Sequence, residues 1–291
     1  MKNIPIILLI MIIFFSSFGR LSASDKRITV FCGSASKPAM EETAKLFKEK
    51  TMINVNFHFG GSGTMLSKMK ISRRGDLYIP GSPDYMLKAE REGIVDPKTV
   101  KIIAYLIIAI GVQHGNPKGI QTLYNLAKPG VKVGIGNPEA VCVGLYAVEL
   151  LKRNKLLQQV QRNIVTHAPS CSATASLLIM KKVDAIIGWR VFSKWNPDKI
   201  DAILLRPNEV HRLAYIPGAI SHYSQDKESA QKFLEFLSST EGQQIFAKWG
   251  YIATKKEAIK FAPKADIGGE YRLPKDYHAP AKKDGVVTRK E

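Results

Sequence analysis

The apolar residues of the chain change repeatedly between a period of two and a helical period, which predicts a repeated strand–loop–helix order. Residues 27–31 are β-rich, and Met40, Ala44 and Phe47 follow at helical spacing after a Gly/Ser turn. Residues 53–59 alternate as a second strand, and a second Gly/Ser loop leads into another apolar helix. This order is typical of a parallel β-sheet that is covered by helices on both faces.

The same alternation continues along the rest of the chain. The apolar stretch 101–112 is long enough to pass from one domain to the next, and residues 211–220 return as another apolar strand that contains Pro217. Further strands are predicted at residues 76–79, 131–135, 163–166, 185–189 and 203–204, and helices at residues 84–91, 145–152, 174–180, 227–237 and 241–249. Since 291 residues are enough for two domains, we expect a two-domain α/β protein.

The first 23 residues have a different composition from the rest. Lys2 precedes an apolar run over residues 4–15, and small residues then lead to Ala23. The run is shorter than the roughly 20 residues that cross a bilayer, so we favour a cleaved secretory signal over a membrane anchor. We therefore expect residues 1–23 to be a signal peptide and the mature chain to be periplasmic or otherwise extracytoplasmic.

The chain is strongly basic, with 43 Lys and Arg residues against 25 Asp and Glu and a net charge of +18. Nucleic-acid binding would need these residues gathered on one face, but they are scattered along the predicted helices, so we expect no nucleic-acid partner. A positive field also attracts small anions. A solvated basic surface without a ligand is the alternative interpretation.

Two Gly/Ser loops, at residues 32–38 and 60–64, each lie between a predicted strand and a predicted helix. The first N–H groups of a helix have no intrahelical partner, so such a junction can bind an anion through N–H groups, hydroxyls and the helix dipole. Ser34, Ser36, Ser62 and Thr64 carry the hydroxyls. The alternative is that these side chains only cap helices.

Enzyme and metal motifs are incomplete. Thr64 stands where a Gly-x-Ser-x-Gly nucleophile elbow needs its second glycine, and Glu139 stands where a dinucleotide fingerprint needs its third. No pair of cysteines has zinc-motif spacing and the six histidines are scattered, so we expect no metal site. We expect no enzyme activity and no cofactor, and a secreted hydrolase is the least favoured alternative.

Four segments stand out together: FCGSASKPAM at residues 31–40, FGGSGT at 59–64, GDLYIP at 75–80 and GNPEAVCVGLY at 136–146. In this order they resemble successive signatures of the periplasmic molybdate- and tungstate-binding proteins of ABC transporters. The resemblance covers roughly residues 27–254 and implies the type II periplasmic-binding-protein fold. In that fold each of two lobes is a mostly parallel sheet flanked by helices, and hydroxyls and N–H groups hold a tetrahedral oxyanion in the cleft between the lobes.

The resemblance also implies a division of the chain. Lobe 1 is expected at residues 27–104 plus 213–254 and lobe 2 at residues 105–212, so that the chain crosses twice between them. Residues 255–291 form a basic tail with several prolines and little apolar periodicity, which we expect to be loosely ordered. The expected partners are a small oxyanion and the permease of an ABC importer in the membrane, and the binding protein is expected to be a monomer.

The resemblance implies that the ligand contacts come from both lobes. The candidate residues are Ser34, Ser36, Ser62, Val143, Cys171, Ser172 and Trp189. Of the two first-loop serines, Ser34 is favoured. Trp189 falls where the family often has a tyrosine hydroxyl, and it offers only an indole N–H.

Neutral donors of this kind suit a fully ionised anion. A protonated phosphate would need an acceptor carboxylate, and the matched loops supply none. The pattern therefore favours molybdate, tungstate or sulfate over phosphate. We expect molybdate or tungstate as the ligand, with sulfate or another small, thiophilic ligand as the alternative.

All three cysteines, Cys32, Cys142 and Cys171, lie in or beside the loops assigned to the cleft. Three interpretations stay open. Cys142 and Cys171 form a disulfide in the oxidising exterior, free thiols line the pocket, or thiolates bind a metal or a thiophilic ligand.

Overall fold

The computed structural model describes residues 26–275 and Tyr277. The expected signal peptide, residues 1–23, and the end of the expected tail lie outside the described residues. Among the described residues, no helix combines the length and the apolar composition that crossing a membrane requires.

The described residues contain eleven strands in two sheets. In chain order the strands are β1 (Arg27–Gly33), β2 (Asn54–Gly60), β3 (Leu77–Ile79), β4 (Lys101–Leu106), β5 (Ile108–Gln113), β6 (Val133–Gly136), β7 (Ile164–Ala168), β8 (Ala185–Trp189), β9 (Ile200–Leu204), β10 (Arg212–Ile220) and β11 (Asp266–Ile267). The first sheet has the order β11-β10-β3-β1-β2, with β4 also paired to β10, and the second has the order β7-β6-β8-β5-β9.

Ten α-helices cover these sheets in the described part of the chain. They are α1 (Lys37–Thr51), α2 (Ser62–Ser72), α3 (Pro83–Arg91), α4 (Cys142–Arg153), α5 (Leu157–Gln161), α6 (Cys171–Ile179), α7 (Val191–Trp195), α8 (Lys227–Ser238), α9 (Thr240–Lys248) and α10 (Lys255–Ile259). Apolar faces of these helices build the core, as where Phe47 of α1 and Phe233 of α8 lie 5.0 Å apart between ring centroids. Both rings are buried.

The two sheets define two lobes, called lobe 1 for the first sheet and lobe 2 for the second, each with its helices. The chain changes sheet at Ile107, between β4 and β5, and again between β9 and β10. Tyr105 therefore lies in the first sheet, whereas the expected division assigned it to lobe 2. The expected two-lobed α/β class is confirmed.

The sheets are mixed, which refines the expectation of mostly parallel sheets. In lobe 1, β1 runs parallel to β2 and β3, while β10 runs antiparallel to β3 and β4. In lobe 2, β6 runs parallel to β7 and β8, while β5 runs antiparallel to β8 and β9. The antiparallel pairs all involve β5 or β10, because these strands follow the two crossings and enter their sheets from the other lobe.

The segment after Thr254 differs from the loosely ordered tail that we expected. It forms α10 and then β11, which pairs in parallel with β10. Arg91 of α3 donates two hydrogen bonds to the Glu270 carboxylate, at 3.0 and 2.6 Å. The prolines and glycines of this segment predict irregular backbone correctly, but its docking depends on partners that are distant in sequence.

Candidate functional site

Four strand-to-helix junctions meet where the two lobes face each other. In lobe 1, β1 leads through a short 3₁₀ helix (Ser34–Ser36) into α1, and its parallel neighbour β2 leads into α2. In lobe 2, the parallel neighbours β6 and β7 lead into α4 and α6. Because the carboxyl ends of parallel neighbours meet at one sheet edge, the first N–H groups of these helices gather there.

The two lobes contact each other through these junctions. The backbone N–H of Ser172 donates to Ser34 Oγ at 3.0 Å, and Ser172 Oγ donates to the Ser34 carbonyl at 3.3 Å. The backbone N–H of Gly63 donates to the Ala140 carbonyl at 2.9 Å. These three bonds join lobe 1 to lobe 2, so the cleft is closed in this structure.

Ser62, the first residue of α2, is held on both sides. Its Oγ accepts the Gly81 N–H at 3.0 Å, and its carbonyl accepts the Tyr78 hydroxyl at 2.9 Å. A Cβ at Gly33 would lie 2.8 Å from this Oγ, so only glycine allows β1 to approach so closely. The Ser62 hydroxyl is therefore fixed in position at the buried interface of the two lobes.

Ser34 and Ser36 have different surroundings, although both are buried. Ser36 Oγ lies 3.5 Å from the Gly33 carbonyl, to which it donates, and 3.6 Å from Cys32 Sγ. Its contacts are thus within its own loop, whereas Ser34 reaches Ser172 in the opposite lobe. This geometry favours Ser34 over Ser36 as the first-loop ligand residue.

The three cysteines are buried and unpaired by disulfides. Cys142 Sγ and Cys171 Sγ lie 3.4 Å apart, and Cys142 Sγ also lies against Gly81, where an added Cβ would come within 2.6 Å of it. Burial raises the pKa of the Cys142 thiol, and burial raises the pKa of Cys32 to about 12. Both thiols are therefore neutral in this closed arrangement.

Val143 and Trp189 both belong to lobe 2. Val143 is the second residue of α4, so its N–H is among those that have no intrahelical acceptor. Trp189 is buried at the end of β8, packs edge-on against Tyr146 at 5.2 Å between centroids, and its indole N–H has no hydrogen-bond partner. Among the described residues, no hydrogen bond joins Trp189 to a candidate serine, and its contact with a ligand stays a prediction.

Gly81 and Ser82 form a third Gly/Ser junction, which the sequence pattern alone did not single out. These two residues follow β3 and precede α3. The Gly81 N–H donates to Ser62 Oγ. The Ser82 hydroxyl is fully buried and has no hydrogen-bond partner. The signal was present, because Pro80-Gly81-Ser82-Pro83 repeats the strand–Gly/Ser–helix order of the first two loops. A buried hydroxyl without a partner is unusual, and this one follows Gly81, which donates to Ser62.

A buried ion cluster joins the lobes behind the cleft. Arg212, at the start of β10, bonds Asp84 of lobe 1 at 3.0 Å and Glu149 of lobe 2 at 2.7 Å. Its guanidinium also stacks 3.9 Å from the ring centroid of Tyr146. Because all three charged side chains are buried, this cluster ties both lobes to the crossing strand.

None of the hydrogen bonds shown for the described cleft serines and cysteines involves a carboxylate or a guanidinium. Within residues 26–275, no group of three or more His, Cys, Asp and Glu side chains is arranged to hold a metal ion. The arrangement thus offers neutral hydroxyl, thiol and N–H donors from two lobes, which is suited to binding an anion rather than to transferring protons or groups.

Comparison with known proteins identifies the family. The model for bacterial extracellular solute-binding proteins matches residues 28–252. The molybdate-binding protein ModA of Escherichia coli is 22% identical over 243 residues, which are 81% of this chain and 93% of ModA. These relatives are binding proteins and not enzymes.

Solved structures show the same fold. The periplasmic molybdate-binding protein of Azotobacter vinelandii matches with a TM-score of 0.69 and 18% identity over 78% of this chain and 100% of that one. The sulfate-binding protein SubI of Mycobacterium tuberculosis matches with a TM-score of 0.71 and 15% identity over 84% of this chain and 94% of SubI.

Proposed function

The chain belongs to the family of bacterial extracellular solute-binding proteins, and on that premise we propose that it captures molybdate or tungstate between its two lobes. As a solute-binding protein of an ABC transporter it binds and delivers a ligand rather than converting one. In this proposal residues 1–23 are an export signal, and the mature protein delivers its ligand, as a monomer, to a membrane permease.

The observation that carries the proposal is the convergence of neutral donors from four helix starts. Ser34 and Ser62 in lobe 1 and Cys142, Val143 and Ser172 in lobe 2 lie at these junctions. A fully ionised tetrahedral oxyanion accepts hydrogen bonds on every oxygen and offers no proton that needs an acceptor. Helix N-termini and backbone N–H groups stabilise such an anion without a counter-cation.

Closure of the lobes follows from the same contacts. The bonds from Ser172 to Ser34 and from Gly63 to Ala140 exist only when the lobes meet. An anion that touches both lobes stabilises the closed form and shifts the population towards it. The permease would then recognise the closed protein by its surface.

Sulfate is the second candidate ligand. Its charge and tetrahedral shape require the same donors, and the sulfate-binding protein SubI shares this fold. The size of the closed site, rather than its chemistry, would discriminate sulfate from molybdate and tungstate. Titration with each anion distinguishes sulfate from molybdate and tungstate, because all three need the same donors.

The test is calorimetry with molybdate. The reduced protein, residues 24–291, and three serine variants of it are each titrated. We expect Ser62→Ala and Ser34→Ala each to weaken binding about 10- to 100-fold, the loss of one hydrogen bond to a charged group. Ser36→Ala is the matched control, because its hydroxyl contacts only its own loop, and it should bind nearly as the parent does. Equal affinity of Ser62→Ala and the parent would contradict the proposed site.

A further inference from the structure

The thiols of Cys142 and Cys171 form a pair in the lobe 2 wall of the cleft. Cys142 is the first residue of α4 and Cys171 the first residue of α6, and these helices follow the adjacent parallel strands β6 and β7. Their Sγ atoms are 3.4 Å apart, which is already van der Waals contact. A small side-chain movement brings them to the roughly 2.05 Å of a disulfide.

We propose that Cys142 and Cys171 are a redox modification site, and that their disulfide weakens anion binding. The oxidant is a disulfide-bearing molecule from outside the cell. One thiolate attacks it and releases one thiol, and the second thiolate then attacks the mixed disulfide and releases the other. The cysteine pair loses two protons and two electrons, and the oxidant is reduced to two thiols. The effect on binding rests on the proposed function, whereas formation of the link does not.

Access to the pair depends on the lobes. Both thiols are buried in the closed form, with Cys142 at 0% and Cys171 at 1% exposure, so an oxidant cannot reach them there. Cys142 Sγ faces Gly81 of lobe 1, whose N–H donates to Ser62 Oγ. Separation of the lobes removes this cover. Disulfide exchange needs a thiol that the oxidant can reach, so the exchange requires the open form.

The third cysteine is not part of the pair. Cys32 lies in β1 of lobe 1, and its Sγ contacts Ser36 Oγ and the Gly33 carbonyl within its own loop. Cys32→Ala therefore leaves the Cys142–Cys171 contact in place. This variant is the matched control for both parts of the proposal.

The disulfide changes the surface that meets lobe 1. It draws the Cys142 sulfur towards Cys171, away from Ser62 and Gly81, and it removes the thiol protons. The closed form thereby loses the contact between Cys142 and Gly81, the residue whose N–H donates to the Ser62 hydroxyl. We expect the oxidised protein to bind molybdate about tenfold more weakly, as for the loss of one hydrogen bond.

The experiment treats reduced residues 24–291 with oxidised glutathione, with and without molybdate, and maps the peptides by mass spectrometry. We expect a Cys142–Cys171 link in the parent and in Cys32→Ala, formed more slowly with molybdate present. Glutathione attached to Cys142 or Cys171 without an internal link, or a link that involves Cys32, would overturn the modification site.

Calorimetry of the reduced and oxidised parent then tests the effect on binding, without needing a variant that folds. Equal molybdate affinity in the two forms would overturn the regulatory part while leaving the link established. Absence of anion binding in both forms would refute the proposed function itself and, with it, the regulatory part. The mass spectra remain decisive for the disulfide in either case, so the two failures are distinguishable.

Discussion

Gly81 lies where the two lobes meet, between Ala35 of lobe 1 and Cys142 of lobe 2. An added Cβ would meet Cys142 Sγ at 2.6 Å and Ala35 Cβ at 2.8 Å. Gly81→Ala should therefore keep the lobes from closing fully, and calorimetry should show at least about tenfold weaker molybdate binding, with about 1–3 kcal/mol lost from stability by overpacking.

The control for this prediction is Gly115→Ala. Gly115 has a positive φ of 77° and open space around its Cα, so alanine there strains the backbone without touching the cleft. It should lower the melting temperature and leave molybdate affinity unchanged. If Gly81→Ala closed and bound as the parent does, the lobes would not meet at Gly81 in the ligand-bound form.

Single residues of the site could be predicted from the sequence only in part. Ser34 and Ser62 stand out because a Gly/Ser loop precedes each helix. Ser34 and Ser36 could not be separated, because the direction of each hydroxyl depends on the turn of the 3₁₀ helix and on where Ser172 arrives from the other lobe. The contacts of Gly81 with Ala35, Ser62 and Cys142 could not be predicted either, because these residues lie in loops far apart in sequence.

At the scale of elements, most strands and helices follow from apolar periodicity, and the C-terminal segment is the exception. Its helix and strand are short, and they are stabilised by contacts with β10 and α3 rather than by their own pattern. Tyr277 reaches lobe 2, where its hydroxyl lies 2.8 Å from His167 Nε2 on β7. The segment thus contacts both lobes, which no local pattern could predict.

The burial of His167, which lies beside Tyr277, makes stability depend on pH. Burial lowers the pKa of His167, partly opposed by the negative charge of Glu139. Since the folded pKa lies below the unfolded value of about 6.5, the unfolded chain takes up the proton first as the pH falls. This contribution to stability is therefore complete above the unfolded pKa and is lost as the pH falls from that value through the lower folded pKa.

The measurement is thermal unfolding of the parent and of His167→Gln at pH 8 and pH 5.5. Glutamine keeps a hydrogen-bonding side chain but does not titrate in this range. We expect the melting temperature of the parent to fall more on acidification than that of His167→Gln. An equal fall in both proteins would show that His167 does not contribute to the pH dependence.

At the scale of the whole molecule, the cluster of Asp84, Arg212 and Glu149 connects the two lobes through the crossing strand β10. Replacing Arg212 by alanine leaves the buried Asp84 carboxylate without its cation and leaves Glu149 paired only with the half-exposed Arg153. We expect Arg212→Ala to lose about 3–5 kcal/mol of unfolding free energy in urea titrations. Lys232→Ala is the control, because its ion pair with Glu228 is formed by two exposed side chains, and it should change stability little. Equal stability of Arg212→Ala and the parent would contradict this role of the cluster.

The two-lobed architecture was predictable because the apolar stretches 101–112 and 211–220 each stand at a change of sheet. Strand direction was not, because the antiparallel placement of β5 and β10 depends on how the crossings enter each sheet. The net charge of +18 indicates attraction of anions over long range, but it does not locate the site. The neutral donors at the four helix starts supply that location.

Oxyanion binding is tested most directly by calorimetry of the reduced protein, residues 24–291, with molybdate, tungstate, sulfate and phosphate in turn. We expect submicromolar binding of molybdate or tungstate, which corresponds to more than about 8 kcal/mol, much weaker binding of sulfate and no measurable binding of phosphate. Tight phosphate binding, or no heat with any of the four anions, would contradict a cleft of neutral donors that is built for a fully ionised oxyanion.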